Sequence, residues 1–134
     1  MTRQRRALVI GGSMSGLLAA IMLRRRGFTV DVYERVESEL DGRGAGIVAQ
    51  AELIARLAAL GLDTRDLGVP ARTRKLLDIE GRTVLTTQCP QVLTAWERVY
   101  RVLRDAFPAA HYHRGRGLAR FEQAGASVIA RFAD

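Results

Sequence analysis

Gly11, Ser13 and Gly16 stand in that order behind a short apolar run, and Glu34 follows Gly16 by 18 positions. Small residues at this spacing let a backbone leave a strand sharply, approach an anion, and pack a helix closely against the strand it left. The amide groups that open such a helix carry partial positive charge and would face a diphosphate. A carboxylate at the position of Glu34 would accept hydrogen bonds from a ribose. It would also repel a 2′-phosphate, so the expected nucleotide is adenosine-type rather than NADP. Ser13 stands where the strict fingerprint has its middle glycine. Its side chain is small, and its hydroxyl can cap the helix or bond a phosphate oxygen. A plainer reading makes Glu34 an ordinary solvated carboxylate at a strand end. Its spacing favours the ribose.

These residues need a strand, a turn, a helix and a second strand to bring them together. The stretch "ALVIGGSMSGLLAAIML", residues 7 to 23, supplies the first three behind Arg3, Arg5 and Arg6. A basic start before an apolar run also describes a secretory signal, but a cleavage site should then follow. The run instead ends in Arg24, Arg25, Arg26 and Gly27 and continues into "FTVDVYE". There Phe28, Val30 and Val32 alternate with more polar neighbours, as in a strand. At 17 residues, broken by Gly11, Gly12 and Ser13, the run is also too short for a membrane span, which needs roughly 18 or more. Leu17, Leu18, Ile21 and Met22 form one stripe of the intervening helix. The export reading leaves the second strand unexplained.

"VIGGSMSGLLAAIMLRRRGFTVDVYER" resembles the amino-terminal FAD-binding segment of the flavin-dependent aromatic hydroxylases, the single-component NAD(P)H monooxygenases. Within that family it is most similar to the 2,6-dihydroxypyridine 3-monooxygenase type, which also favours a "GGS-x-SG" turn. The resemblance continues through "GRGAGIVAQAELIARLAALGL" and "LTAWERVYRVLRDAFP" and covers nearly the whole chain. It implies an α/β, Rossmann-like FAD/NAD(P)-binding fold, incomplete here, with a parallel sheet, helices and β-hairpins. It places Gly11, Gly12, Ser13, Met14, Ser15 and Gly16 along the FAD pyrophosphate, and Glu34 and Arg35 by the adenosine ribose. Arg43, Gly44 and Gly46 would lie near the flavin. The plain alternative for "DGRGAG" is a surface loop. Many relatives carry an arginine where this chain has Trp96, and neither Arg98 nor Arg101 is a clear substitute.

The resemblance further implies FAD as cofactor, NADH or NADPH as co-substrate, and a small aromatic substrate. No residue is named as catalytic acid or base. Intact members are two to three domains long by the prior of roughly 100–200 residues per domain. The chain is therefore expected to be a fragment or a truncated product, a partial FAD-binding domain over residues 1–134. Residues 72–93 would be a hairpin excursion toward an absent substrate domain, and an exposed strand edge would allow self-association. Two other readings stay open: an NAD-dependent Rossmann oxidoreductase, and a truncated relative without catalysis.

Farther along, Leu53, Ile54, Leu57 and Leu60 share a helical stripe that Gly61 stops. "DTRDLGVPAR" reads as a loop, and "RKLLDIEGRTVLTT" as two strands around Glu80 and Gly81. Thr94 and Glu97 suggest a capping box for a helix that Pro108 ends, with Trp96, Val99, Tyr100 and Leu103 facing inward. "HYHRG" reads as a short strand beside the second one, and "LARFEQ" and "SVIARFA" as a final hairpin. His111 and His113 would share a strand face, a spacing that can hold a metal, but no third ligand is apparent. They read as structural or solvated histidines.

The 134 residues, 48% hydrophobic, suffice for one core. A single cysteine, Cys89, cannot form an internal disulfide, which fits a reducing, cytoplasmic setting. The net charge of +7 is almost wholly arginine, scattered over glycine turns and helix faces. No nucleic-acid recognition motif accompanies it, and neither nucleic acid nor membrane is the expected partner.

Overall fold

The glycine turn is tied to a central strand that is buried on both faces. A computed structural model describes residues 5–40, 42 and 44–133, and these divide into two units, one of residues 5–40, 42 and 100–133 and the other of residues 44–99. In the first unit, β1 (Arg6–Ile10) leads through the turn into α1 (Met14–Arg25) and then β2 (Thr29–Tyr33). Strand β6 (Tyr112–His113) returns to β2 from the far end of the chain, giving a parallel sheet in the order β1-β2-β6. Its register pairs Leu8 with Asp31 and Ile10 with Tyr33 on one side of β2, and Val32 with Tyr112 on the other.

A central parallel strand is covered on both sides, and β2 is buried on both although its apolar and polar residues alternate. Val30 and Val32 are fully buried accordingly, and Asp31 between them is buried as well. On α1 the buried side is Leu17, Ala20 and Ile21, so Ala20 takes the place on the apolar stripe expected of Leu18 and Met22, which are half-buried. Arg24 and Arg25 end the helix, where cations offset the carbonyl end of its dipole. A two-stranded sheet, β7 (Leu118–Ala124) with β8 (Ser127–Phe132), closes the described chain, with Gly125 and Ala126 at its turn.

The second unit is a separate antiparallel sheet in the order β3-β5-β4. It comprises β3 (Gly46–Ala49), β4 (Val69–Leu77) and β5 (Thr83–Ala95), with α2 (Ala51–Ala59) after β3. Both long strands exceed the sequence expectation. Val69, Pro70 and Ala71, expected in a loop, pair with Leu93, Val92 and Gln91. Proline is tolerated there because β4 is an edge strand. Pro90 lies on the central strand, but at the register shift opposite Arg72, where the ladder is already interrupted.

Helix α3 (Trp96–Ala106) begins in the second unit and ends in the first. Val99, Tyr100 and Leu103 are buried as its periodicity requires, and Trp96 is half-buried. The capping box does not form. Thr94 belongs to β5, and its hydroxyl donates to the Leu67 carbonyl instead of the helix.

Candidate functional site

The first unit's turn satisfies three separate geometric demands with small residues. Gly11 has φ +100°, a region that side chains disfavour, and its N–H still donates to the Tyr33 carbonyl at 2.8 Å. The chain thus turns sharply while tied to β2. Ser13 is the N-cap of α1, with extended backbone and no capping bond from its hydroxyl. The first intrahelical bond is Leu17 N–H to the Ser13 carbonyl, 2.9 Å. The N–H groups of Met14, Ser15 and Gly16 therefore have no intrahelical acceptor. No acidic side chain sits in this first turn, so the positive dipole end is not neutralised from within. At Gly16 a Cβ would fall on the Gly11 carbonyl oxygen. Helix and turn can approach this closely only with glycine.

Glu34 lies directly after β2 and is buried, at 6% exposure. Its Oε2 accepts the Gly12 N–H at 2.8 Å and its Oε1 the Val36 N–H at 2.9 Å. The structure thus brings Glu34 to the glycine turn and gives it a job that spacing alone did not suggest. It fastens the turn to the end of β2. This commits the Gly12 amide to protein. A carboxylate has about four acceptor positions, so two remain for sugar hydroxyls. Arg35, the next residue, is exposed. Gly44 and Gly46 belong to the second unit, and Arg43 lies outside the described residues.

Tyr112 was missed by sequence reasoning. It is buried at 7% exposure and donates its hydroxyl to the Gly12 carbonyl at 2.9 Å, across 100 residues of chain. No local spacing links the two. The available signal was that "HYHRG" returns beside β2, because ligands sit at the carboxyl ends of parallel strands.

The two histidines are engaged elsewhere. His111 Nδ1 and His113 Nε2 lie 3.0 and 3.1 Å from the same Asp31 Oδ1. Burial pushes the Asp31 carboxyl up, but the bonds and charge of both histidines outweigh it and hold the group below its ordinary range. Arg6 reaches the other oxygen at 3.7 Å. The His113 ring also stacks on Tyr33, which stacks in turn on Phe132. Among the described residues no group of three or more metal-ligating side chains is arranged to hold a metal. No helix among them is long and apolar enough to cross a membrane.

The family described as NAD(P)-binding Rossmann-like domain matches residues 9–59. The chain is 37% identical over 130 residues to the 2,6-dihydroxypyridine 3-monooxygenase of Paenarthrobacter nicotinovorans, covering 96% of this chain and 33% of that protein. The solved structure of 2,6-dihydroxypyridine-3-hydroxylase from Arthrobacter nicotinovorans superimposes with a TM-score of 0.88 at 36% identity, over 98% of this chain and 34% of that one. Klebsiella pneumoniae HpxO, solved with FAD and uric acid, shares the fold at a TM-score of 0.80 and 23% identity, over 96% of this chain and 35% of that one. The chain spans about a third of the length of the curated relative it matches.

Proposed function

We propose that this chain, similar along nearly its whole length to aromatic-ring monooxygenases, is the FAD-binding portion of such an enzyme. The activity it serves is hydroxylation of an activated aromatic or heteroaromatic ring with NAD(P)H and O2. The observation that carries this reading is the turn fastened by Glu34. A helix N-terminus free of acid faces outward from glycines that a Cβ would block, with a carboxylate fixed beside it. These residues fit the adenosine diphosphate half of FAD. Met14, Ser15 and Gly16 would donate amides to the phosphates, the Ser13 hydroxyl would add a bond, and Glu34 would take the ribose hydroxyls.

When bound, the flavin supplies the redox chemistry, carrying electrons from NAD(P)H to oxygen for transfer to the ring. The described residues of the turn bind and orient; none of them is assigned a proton-transfer role. The second unit's antiparallel sheet supports this reading over a dinucleotide dehydrogenase, in which further parallel strands would follow β2.

Ser13 tests the proposal. Ser13→Gly restores the strict fingerprint and is expected to bind FAD within a few-fold of the parent. Ser13→Leu places a branched chain at the phosphate and is expected to abolish binding in a fluorescence titration. A leucine variant that binds as the parent does would show that the phosphates lie elsewhere.

A further inference from the structure

The carbonyl of Gly12 meets a buried pair of tyrosine hydroxyls. Tyr112 donates to it at 2.9 Å. A Cβ on Gly12 would fall on that same Tyr112 hydroxyl, so glycine and tyrosine are fitted to each other in shape as well as by the bond. The phenol itself is held from several sides. Val32 of β2 pairs with its backbone, and the Arg104 guanidinium lies 4.2 Å from its ring centroid. Tyr100 is its neighbour and donates to Glu39 Oε2 at 3.2 Å, while Arg114 holds Glu39 Oε1 at 2.7 Å. Burial, together with the charges of Glu34 and Glu39, keeps the Tyr112 phenol protonated against the opposing influence of Tyr100 and Arg104. It therefore remains a donor at all ordinary pH.

Gly12 is thus gripped at both ends of its residue. Its N–H is held by Glu34 and its C=O by Tyr112. Fixing both groups fixes the two peptide planes that lead into Ser13 and the helix opening. We propose that Tyr112 is a positioning residue for the nucleotide turn: its hydroxyl, with Glu34, holds the Gly12 peptide so that the amides of residues 14–16 converge on one anion position. The ligand assignment rests on the FAD reading above; the clamp on the turn does not.

The experiment is amide hydrogen exchange on the chain with and without Tyr112→Phe, followed by FAD titration of both. Phenylalanine keeps the ring, the contact with Arg104 and the packing, and removes the hydroxyl with its bond to Gly12 and its contact with Tyr100. The Gly11 and Gly12 amides should exchange about tenfold faster in the variant, the loss expected for one buried hydrogen bond. Tyr100→Phe removes a hydroxyl that meets both Glu39 and Tyr112 but leaves the Tyr112–Gly12 bond in place, so those amides should be accelerated less than in Tyr112→Phe. FAD affinity should fall for Tyr112→Phe by a factor similar to the exchange effect. Unchanged Gly11 and Gly12 exchange would overturn the proposal, as would equal acceleration by both tyrosine variants. A loosened turn that still binds FAD as tightly as the parent would overturn it too. A parent that binds no FAD would defeat the functional reading, while the exchange comparison would still decide whether Tyr112 holds the turn.

Discussion

Gly16→Ala is expected to destabilise the chain and abolish nucleotide binding, against the trend for this substitution inside a helix. By propensity alone, alanine for glycine in a helix gains about 1 kcal/mol. Here the added Cβ meets the Gly11 carbonyl oxygen, a backbone atom that cannot rotate away as a side chain does. Overpacking of this kind costs roughly 1–3 kcal/mol, and the upper part of that range applies where the obstacle is main chain. The clash therefore outweighs the propensity gain. Relief requires α1 to lift from the turn, which displaces the amides of residues 14–16 together. Urea unfolding should show a lower midpoint with an unchanged slope, and calorimetry should show no FAD binding. A variant more stable than its parent would mean that helix and turn are not in contact at Gly16.

Glu34→Ala is expected to weaken FAD binding tenfold to a hundredfold. Losing hydrogen bonds from a charged acceptor costs roughly 1.5–3 kcal/mol. The structure raises that expectation toward the upper end, because the same carboxylate also holds the Gly12 and Val36 amides. Alanine leaves both donors without their acceptor and frees the turn. Glu34→Gln keeps one carbonyl oxygen and should fall between parent and alanine. Calorimetry with FAD reads the affinity, and thermal melting of the unliganded variants reads the structural share. Equal FAD affinity in parent and Glu34→Ala would remove Glu34 from the site.

The first strand, turn, helix and second strand were legible because each is defined by residues adjacent in sequence. Gly11 and Gly16 mark the turn, and the alternation around Val30 and Val32 marks the strand. The short strand at Tyr112 was also legible as a parallel neighbour of β2, and the final hairpin by its turn. What was not legible depends on partners distant in sequence. Val69 to Ala71 carry loop-like letters and become strand only because residues 91–93 pair with them. Thr94 and Glu97 have the spacing of a capping box, yet the Leu67 carbonyl, 27 residues away, takes the threonine hydroxyl. The clamp of Tyr112 on Gly12 spans 100 residues and follows no motif. The spacing singles out Glu34, but not its bonds to two backbone amides, since a carboxylate's local partners depend on the conformation of the turn itself.

The glycine turn and Glu34 are proposed to recognise the adenosine diphosphate half of FAD. Calorimetric titration of the chain with FAD, FMN and NADP distinguishes that half from the flavin end and from a 2′-phosphorylated nucleotide. FMN lacks the adenosine half, and NADP carries a 2′-phosphate that the Glu34 carboxylate repels. Saturable binding of FAD at one site is expected, with FMN and NADP at least about tenfold weaker, the difference one charged hydrogen bond provides. Binding of FMN or NADP as tight as that of FAD, or no binding of FAD at all, would contradict that recognition.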